Sequence, residues 1–120
     1  MNVCLASFDP VPAPKGASAH ILRNHAILEG AGHQVSLLTL GDRPLQGLRH
    51  RVIEPTGATW LHRARDFGQR IRPILEANHF DVVHVRSPFE GLSVPHESQV
   101  VYEVNAVYSI ELPCRYPALA

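Results

Sequence analysis

Apolar positions along the chain switch between two periods, and the switches divide it into elements. Residues 2–7 (NVCLAS) are a short, mostly apolar run, the profile of a buried strand. The following stretch, FDPVPAPKG (8–16), holds three prolines and a glycine and reads as a loop. From Ala17 to about Gly30 the period lengthens to that of a helix, with Ile21, Leu22, Ala26, Ile27 and Leu28 as the apolar stripe. GAGH (30–33) ends that helix, because glycine takes the left-handed conformation of a helix terminus. QVSLLTL (34–40) is a second strand, and HRVIEP (50–55) is a short third one closed by Pro55. From Thr59, Trp60, Ala64, Phe67, Ile71 and Leu75 recur every three or four residues and predict a second helix. Pro73 is expected to kink or restart it, since proline lacks an N–H and clashes one turn back. FDVVHV (80–85) is the next strand, SPFEG a loop, and QVVYEV (99–104) a further strand.

Strand, helix, strand, short strand, helix, strand, connector and strand is the alternation of an α/β protein. It predicts an open parallel sheet with helices on both faces, a Rossmann-like architecture. The last fifteen residues supply strand and loop material with no closing helix. The sheet is therefore expected to be incomplete at its C-terminal end, the front part of a longer doubly wound domain.

Composition narrows the function classes. The 120 residues suit one domain with one real core, burying about two thirds of the surface exposed on unfolding. With 45% apolar and 18% charged residues, the chain belongs among globular proteins, not disordered ones. Eleven basic and eleven acidic side chains cancel, which argues against nucleic-acid binding driven by bulk charge. No apolar run approaches the roughly 18–20 residues of a membrane span. No basic segment precedes the apolar start, so MNVCLASF is not a signal peptide and a cytoplasmic location is expected. Cys4 and Cys114 form no CxxC pair, and the eight histidines show no metal-ligand spacing; no metal is expected. Cys4 reads as a small buried hydrophobe.

In an open parallel sheet, ligands bind beyond the carboxyl ends of the strands. Three loops fall on that edge: 8–16, 86–91 and 105–111. The first ends PKGAS and runs into a helix. Gly16 admits close backbone approach, the helix N-terminus favours a phosphate or sugar hydroxyl, and Lys15, the one lysine in the chain, adds positive charge. The stretch matches neither GxGxxG nor the P-loop fingerprint, and a plain strand-to-helix turn capped by Ser18 accounts for it as well. Alternation in DVVHV puts Val83 and Val85 on one face, Val82 and His84 on the other. His84 reads either as a core residue bonded to backbone or as a catalyst. Arg86, just past the strand, is placed to meet an anionic ligand or to pair with Glu90 or Glu103. Glu103, alternating with Tyr102 and Val104, reads as a buried or a cleft-facing carboxylate. Asn105 is placed to bond a sugar hydroxyl or orient a reacting group, or merely tolerates a turn. The face of the second helix carrying His62, Arg63, Arg65, Arg70 and Arg72 is a solvated face or a weakly basic surface-binding one.

The succession FDPVPAPKGASAH, GAGHQVSLLTL, FDVVHVRSP and VVYEVNAVYSIELPCRYPAL resembles glycosyltransferase family 4 from Met1 to Ala120, specifically its N-terminal domain. The resemblance implies the two-domain GT-B fold and a retaining, hexosyltransferase-type enzyme moving a sugar from a nucleotide sugar to an acceptor. On it the chain is a truncated, partial acceptor-side domain, 1–120. The C-terminal domain that binds the nucleotide sugar is absent, so this piece is expected to be inactive alone. The implied site residues are Gly16, Lys15, Arg86 and Glu103 for substrate or donor binding and Asn105 for catalysis. Asn105 and Arg86 stand where family members often carry histidines. The implied partners are the nucleotide-sugar donor as co-substrate and an unidentified acceptor, without cofactor, metal or nucleic acid; peripheral contact with a membrane stays open. The rival reading is a non-catalytic α/β module that binds a phosphorylated ligand or a protein. An epimerase or reductase fits poorly, because GxGxxG is missing.

Overall fold

The structure, a computed structural model, describes residues 1–104 together with Cys114 and Ala118. Its elements run β1 (Asn2–Pro10), α1 (Gly16–Gly30), β2 (Gln34–Leu40), β3 (Arg49–Val52), α2 (Trp60–Asn78), β4 (Val82–Val85), α3 (Pro88–Gly91) and β5 (Gln99–Tyr102). The strands form one five-stranded sheet in the order β3-β2-β1-β4-β5, and every pairing is parallel. This is the predicted α/β, Rossmann-like architecture.

Two clusters of buried side chains lie on opposite faces of the sheet. One joins Cys4, Ala6, Val83 and Val85 to Phe67, Ile71 and Leu75 of α2. The other joins Val3, Leu5, Val35 and Leu37 to Ile21, Leu22 and Leu28 of α1. Alternation along β1 and β4 feeds both, which is why these central strands read as continuous apolar runs. Cys4 is fully buried with a free thiol, whose pKa burial pushes up because the thiolate cannot be solvated there.

α2 follows its predicted stripe: Ala64, Phe67, Ile71 and Leu75 are buried. Thr59 caps it by accepting the His62 N–H at 3.2 Å. The expected break at Pro73 does not occur; α2 runs through it to Asn78. Pro73 and Gln69, one turn earlier, are both exposed, so the carbonyl that loses its partner faces solvent. In α1 the stripe is Ser18, Ile21, His25 and Leu28, spaced three or four apart, with Leu22 beside Ile21. Ala26 and Ile27, expected inside, face solvent.

Several boundaries also move. β1 continues through Phe8, Asp9 and Pro10, which the sequence pattern assigns to a loop. Ala6 pairs with Leu38 but Pro10 with Leu40, so Ser7, Phe8 and Asp9 bulge from the ladder before Val11 N–H bonds the Leu40 carbonyl at 2.9 Å. β3 covers Arg49–Val52, not 50–55; β4 starts at Val82; β5 ends at Tyr102. The SPFEG segment is the short helix α3, not a loop. Gly68 allows it to approach α2: a Cβ there would lie 2.7 Å from the Phe89 carbonyl oxygen. Ser93 Oγ–H donates to the Gly68 carbonyl at 2.6 Å across the same contact. Phe8, Trp60, Phe67 and Phe89 complete the junction, with edge-on or tilted ring pairs 5.5–6.0 Å apart.

Candidate functional site

The strand order reverses its direction of growth at β1: β2 and β3 add on one side, β4 and β5 on the other. A crevice opens at such a point beyond the carboxyl ends of the two central strands. Here the end of β1, the start of α1, the end of β4 and the residue after β5 converge on it.

The first loop is fixed from within. Ser18, expected as the helix cap, instead sits buried and accepts the Ala13 N–H at 3.0 Å. Lys15 holds the cap position with extended backbone and makes no side-chain capping bond. Lys15 and Gly16 are both exposed, and a Cβ on Gly16 would meet nothing within 4 Å among the described residues. That glycine therefore answers no packing demand of the fold. Gly41 does: φ is +144°, and a Cβ there would lie 2.7 Å from the Val11 carbonyl oxygen, so it lets this loop lie against the end of β2.

Deeper in the crevice the charged groups are interlocked. Arg86, its side chain only 13% exposed, follows β4. Its Nη1 lies 3.8 Å from Asp9 Oδ2 and donates to the Ala17 carbonyl at 3.3 Å. Its Nε lies 3.7 Å from Glu103 Oε2. Of the two sequence-level partners it takes Glu103 and not Glu90, and it adds Asp9. Ser7 Oγ–H donates to Asp9 at 2.5 Å. Glu103 faces the crevice, with Oε1 2.5 Å from His20 Nε2 and Oε2 3.2 Å from His84 Nε2. Neither that approach nor the one from Arg86 has hydrogen-bond geometry, so Oε2 is a buried acceptor without a hydrogen-bond donor among the described residues. A cavity of about 10 Å³ beside it is lined by Asn24, His84, Arg86 and Glu103 among others.

His84 is thus a half-buried crevice residue whose partner is a carboxylate, in place of the backbone contact of a core histidine. Burial holds its pKa below the usual imidazole value, with Glu103 pulling upward and Arg86 and His20 adding to the depression. Glu90 is fully buried beneath the crevice. Its Oε1 accepts the Phe8 N–H at 2.6 Å and its Oε2 accepts from Ser87 Oγ. Desolvation raises its pKa to about 7 against the pull of these hydrogen bonds. Its role is to tie α3 to the bulge of β1.

The sequence pattern puts Gly16, Lys15, Arg86 and Glu103 on this edge, and the structure brings Arg86 and Glu103 into contact while Lys15 and Gly16 stand at the rim. Asn105 lies outside the described residues. His20 and Asn24 carry no signal in the sequence; they lie on the polar side of α1, where periodicity does not distinguish a crevice from open solvent. Larger hollows of about 340 and 380 Å³ open at the amino ends of the strands, and one of about 630 Å³ along β3 and α2. They gather no comparable set of interlocked ionisable groups among the described residues. No group of three or more His, Cys, Asp or Glu residues able to hold a metal occurs among the described residues. None of the described helices is long and apolar enough to cross a membrane.

Compared with known proteins, residues 14–110 match the family model described as Glycosyltransferase Family 4. That span begins just before Lys15 and runs past the crevice residues of β4 and β5. No curated protein matches the chain.

Proposed function

The chain belongs to glycosyltransferase family 4, and from that premise we propose that it is the acceptor-side domain of a retaining, hexosyltransferase-type enzyme. The donor is a nucleotide sugar. The nucleotide sits on a second, C-terminal domain, and the acceptor lies in the crevice between β1 and β4. In this reading the clamp that stabilises the departing diphosphate belongs to that second domain, so transfer requires both domains closed over the reactants. No metal takes part, and no nucleic acid is a partner.

The observation that carries this reading is the family match over residues 14–110, which takes in the end of the first loop with Lys15 and Gly16, α1, and the crevice residues of β4 and β5. In it, the exposed Lys15 and the uncapped start of α1 at Gly16 form a rim suited to phosphate or sugar oxygens. Arg86 lies deeper and contributes the fixed positive charge. Asn105, following Glu103 by two residues, bonds a sugar hydroxyl or orients the reacting group.

The test is nucleoside diphosphate release by the full-length protein across a panel of nucleotide sugars, with the anomeric configuration of the product read by NMR. Release with one donor and a retained configuration are expected. Gly16→Trp should abolish release while the circular dichroism spectrum stays unchanged, because no described residue lies within 4 Å of a Cβ at that position. Full activity of that variant would remove the rim from the active crevice.

A further inference from the structure

Five ionisable groups from four parts of the chain meet in the crevice, and one of them touches most of the others. His20 comes from α1, His84 and Arg86 from β4 and its end, Asp9 from β1, and Glu103 from the residue after β5. Glu103 contacts three of them: His20 at 2.5 Å, His84 at 3.2 Å and Arg86 at 3.7 Å. Its own place is set by the backbone, since the Glu103 N–H bonds the Val85 carbonyl at 2.9 Å and continues the β4–β5 ladder by one residue. The backbone that carries the carboxylate is therefore anchored to the sheet, and of the groups that it contacts Arg86 has the longer, freer side chain.

We propose that Glu103 is a positioning residue of the crevice, which holds the Arg86 guanidinium between β1 and α1 and fixes the His84 ring beside it. The inference rests on the transferase reading for its consequence in catalysis and on the contacts above for its geometry. An arginine side chain loses several rotatable bonds' worth of freedom when it is fixed, and a carboxylate behind its Nε offsets part of that cost before a substrate arrives. With Nε facing Glu103, the Nη end is directed to Asp9 and to the first turn of α1. Any oxygen-rich substrate group entering at Gly16 meets a charge already in place. Glu103 acts through Arg86 and His84 in this scheme and need not touch the substrate.

The proposal has a sign that a bystander carboxylate does not share. Removing a negative charge beside a site for phosphate oxygens should by Coulomb's law strengthen their binding. Loss of positioning should weaken turnover instead. The full-length protein is compared with its Glu103→Gln and Glu103→Asp variants in two measurements. One is nucleoside diphosphate release with a panel of nucleotide sugars; the other is ¹⁵N NMR of the Arg86 Nε–H, read as its exchange rate with water, and of the His84 ring nitrogens. Expected for Glu103→Gln are a fall of roughly tenfold in kcat/KM, faster exchange at Arg86, altered His84 ring shifts and an unchanged fold. Glu103→Asp should recover part of each. Unchanged or raised kcat/KM in folded Glu103→Gln overturns the proposal, as does lost activity with unchanged Arg86 exchange. If Glu103→Gln does not fold, Glu103→Asp decides by the same two readouts. Absence of release by the wild type with every donor would sink the transferase reading, and the Arg86 exchange comparison would still decide whether Glu103 positions that side chain.

Discussion

Replacing Glu90 by glutamine should make the protein more stable at neutral pH and no more stable in acid. Glu90 is fully buried, and its pKa is pushed from 4.5 to about 7 by desolvation. Between those values the folded chain keeps a proton that the unfolded chain has released, so the folded state binds more protons and stability falls as pH rises. A tenfold change in proton affinity is worth about 1.4 kcal/mol, so raising the pKa from 4.5 to about 7 gives a loss of about 3 kcal/mol between acid and pH above 7. Glutamine has the same shape and does not ionise. Its carbonyl oxygen can accept the Phe8 N–H as Oε1 does now, and its amide can donate to Ser87 Oγ once that hydroxyl turns. Below the unfolded pKa the variant should therefore match the wild type to within about one hydrogen bond, about 1 kcal/mol. Above pH 7 it should be the more stable of the two by about 2–3 kcal/mol. His50 and His84, whose pKa values are depressed, act in the opposite direction: their contribution is lost as pH falls through the unfolded imidazole value of 6.5. Both proteins carry those histidines, so the difference between their curves isolates Glu90. Urea unfolding at about pH 4, 5, 6, 7 and 8 measures it. Two curves that stay parallel across this range would show that Glu90 is ionised at no cost in the fold, and the reasoning from burial would fail.

Other expectations follow from single contacts. Gly68→Ala drives a Cβ to 2.7 Å from the Phe89 carbonyl oxygen, so α3 must shift; a loss of about 1–3 kcal/mol in urea unfolding is expected. An unchanged midpoint would mean that α3 can move away from α2 at no cost. Thr59→Ala removes the acceptor of the His62 N–H and should cost about 1 kcal/mol, with amide exchange rising in the first turn of α2 and not in its last. Together with Gly16→Trp and the Glu103 variants, these separate residues that hold the fold from residues that act in the crevice.

The amino-acid order by itself determined the architecture, because each central element repeats its burial period often enough to be read. The stripe Ala64, Phe67, Ile71 and Leu75 fixed α2, and the unbroken apolar runs around Cys4 and Val83 marked strands covered on both faces. It also placed Arg86 and Glu103 at one sheet edge, since parallel strands send all their carboxyl ends the same way. What only the tertiary structure decided are the partners. Whether Arg86 pairs with Glu90 or Glu103 depends on α3, which packs down on Gly68 and carries Glu90 under the bulge of β1, away from Arg86. Ile27 has the composition of a core residue, but helical rotation gives its place to His25. Pro73 has the chemistry of a helix break, but it falls on the wet side of α2. His20 meets Glu103 across 83 positions of sequence because a crossover brings α1 back along β1, and no local pattern encodes a contact of that range. Periodicity reports which side of an element is dry; it is silent on which polar groups, once the sides are chosen, are brought face to face.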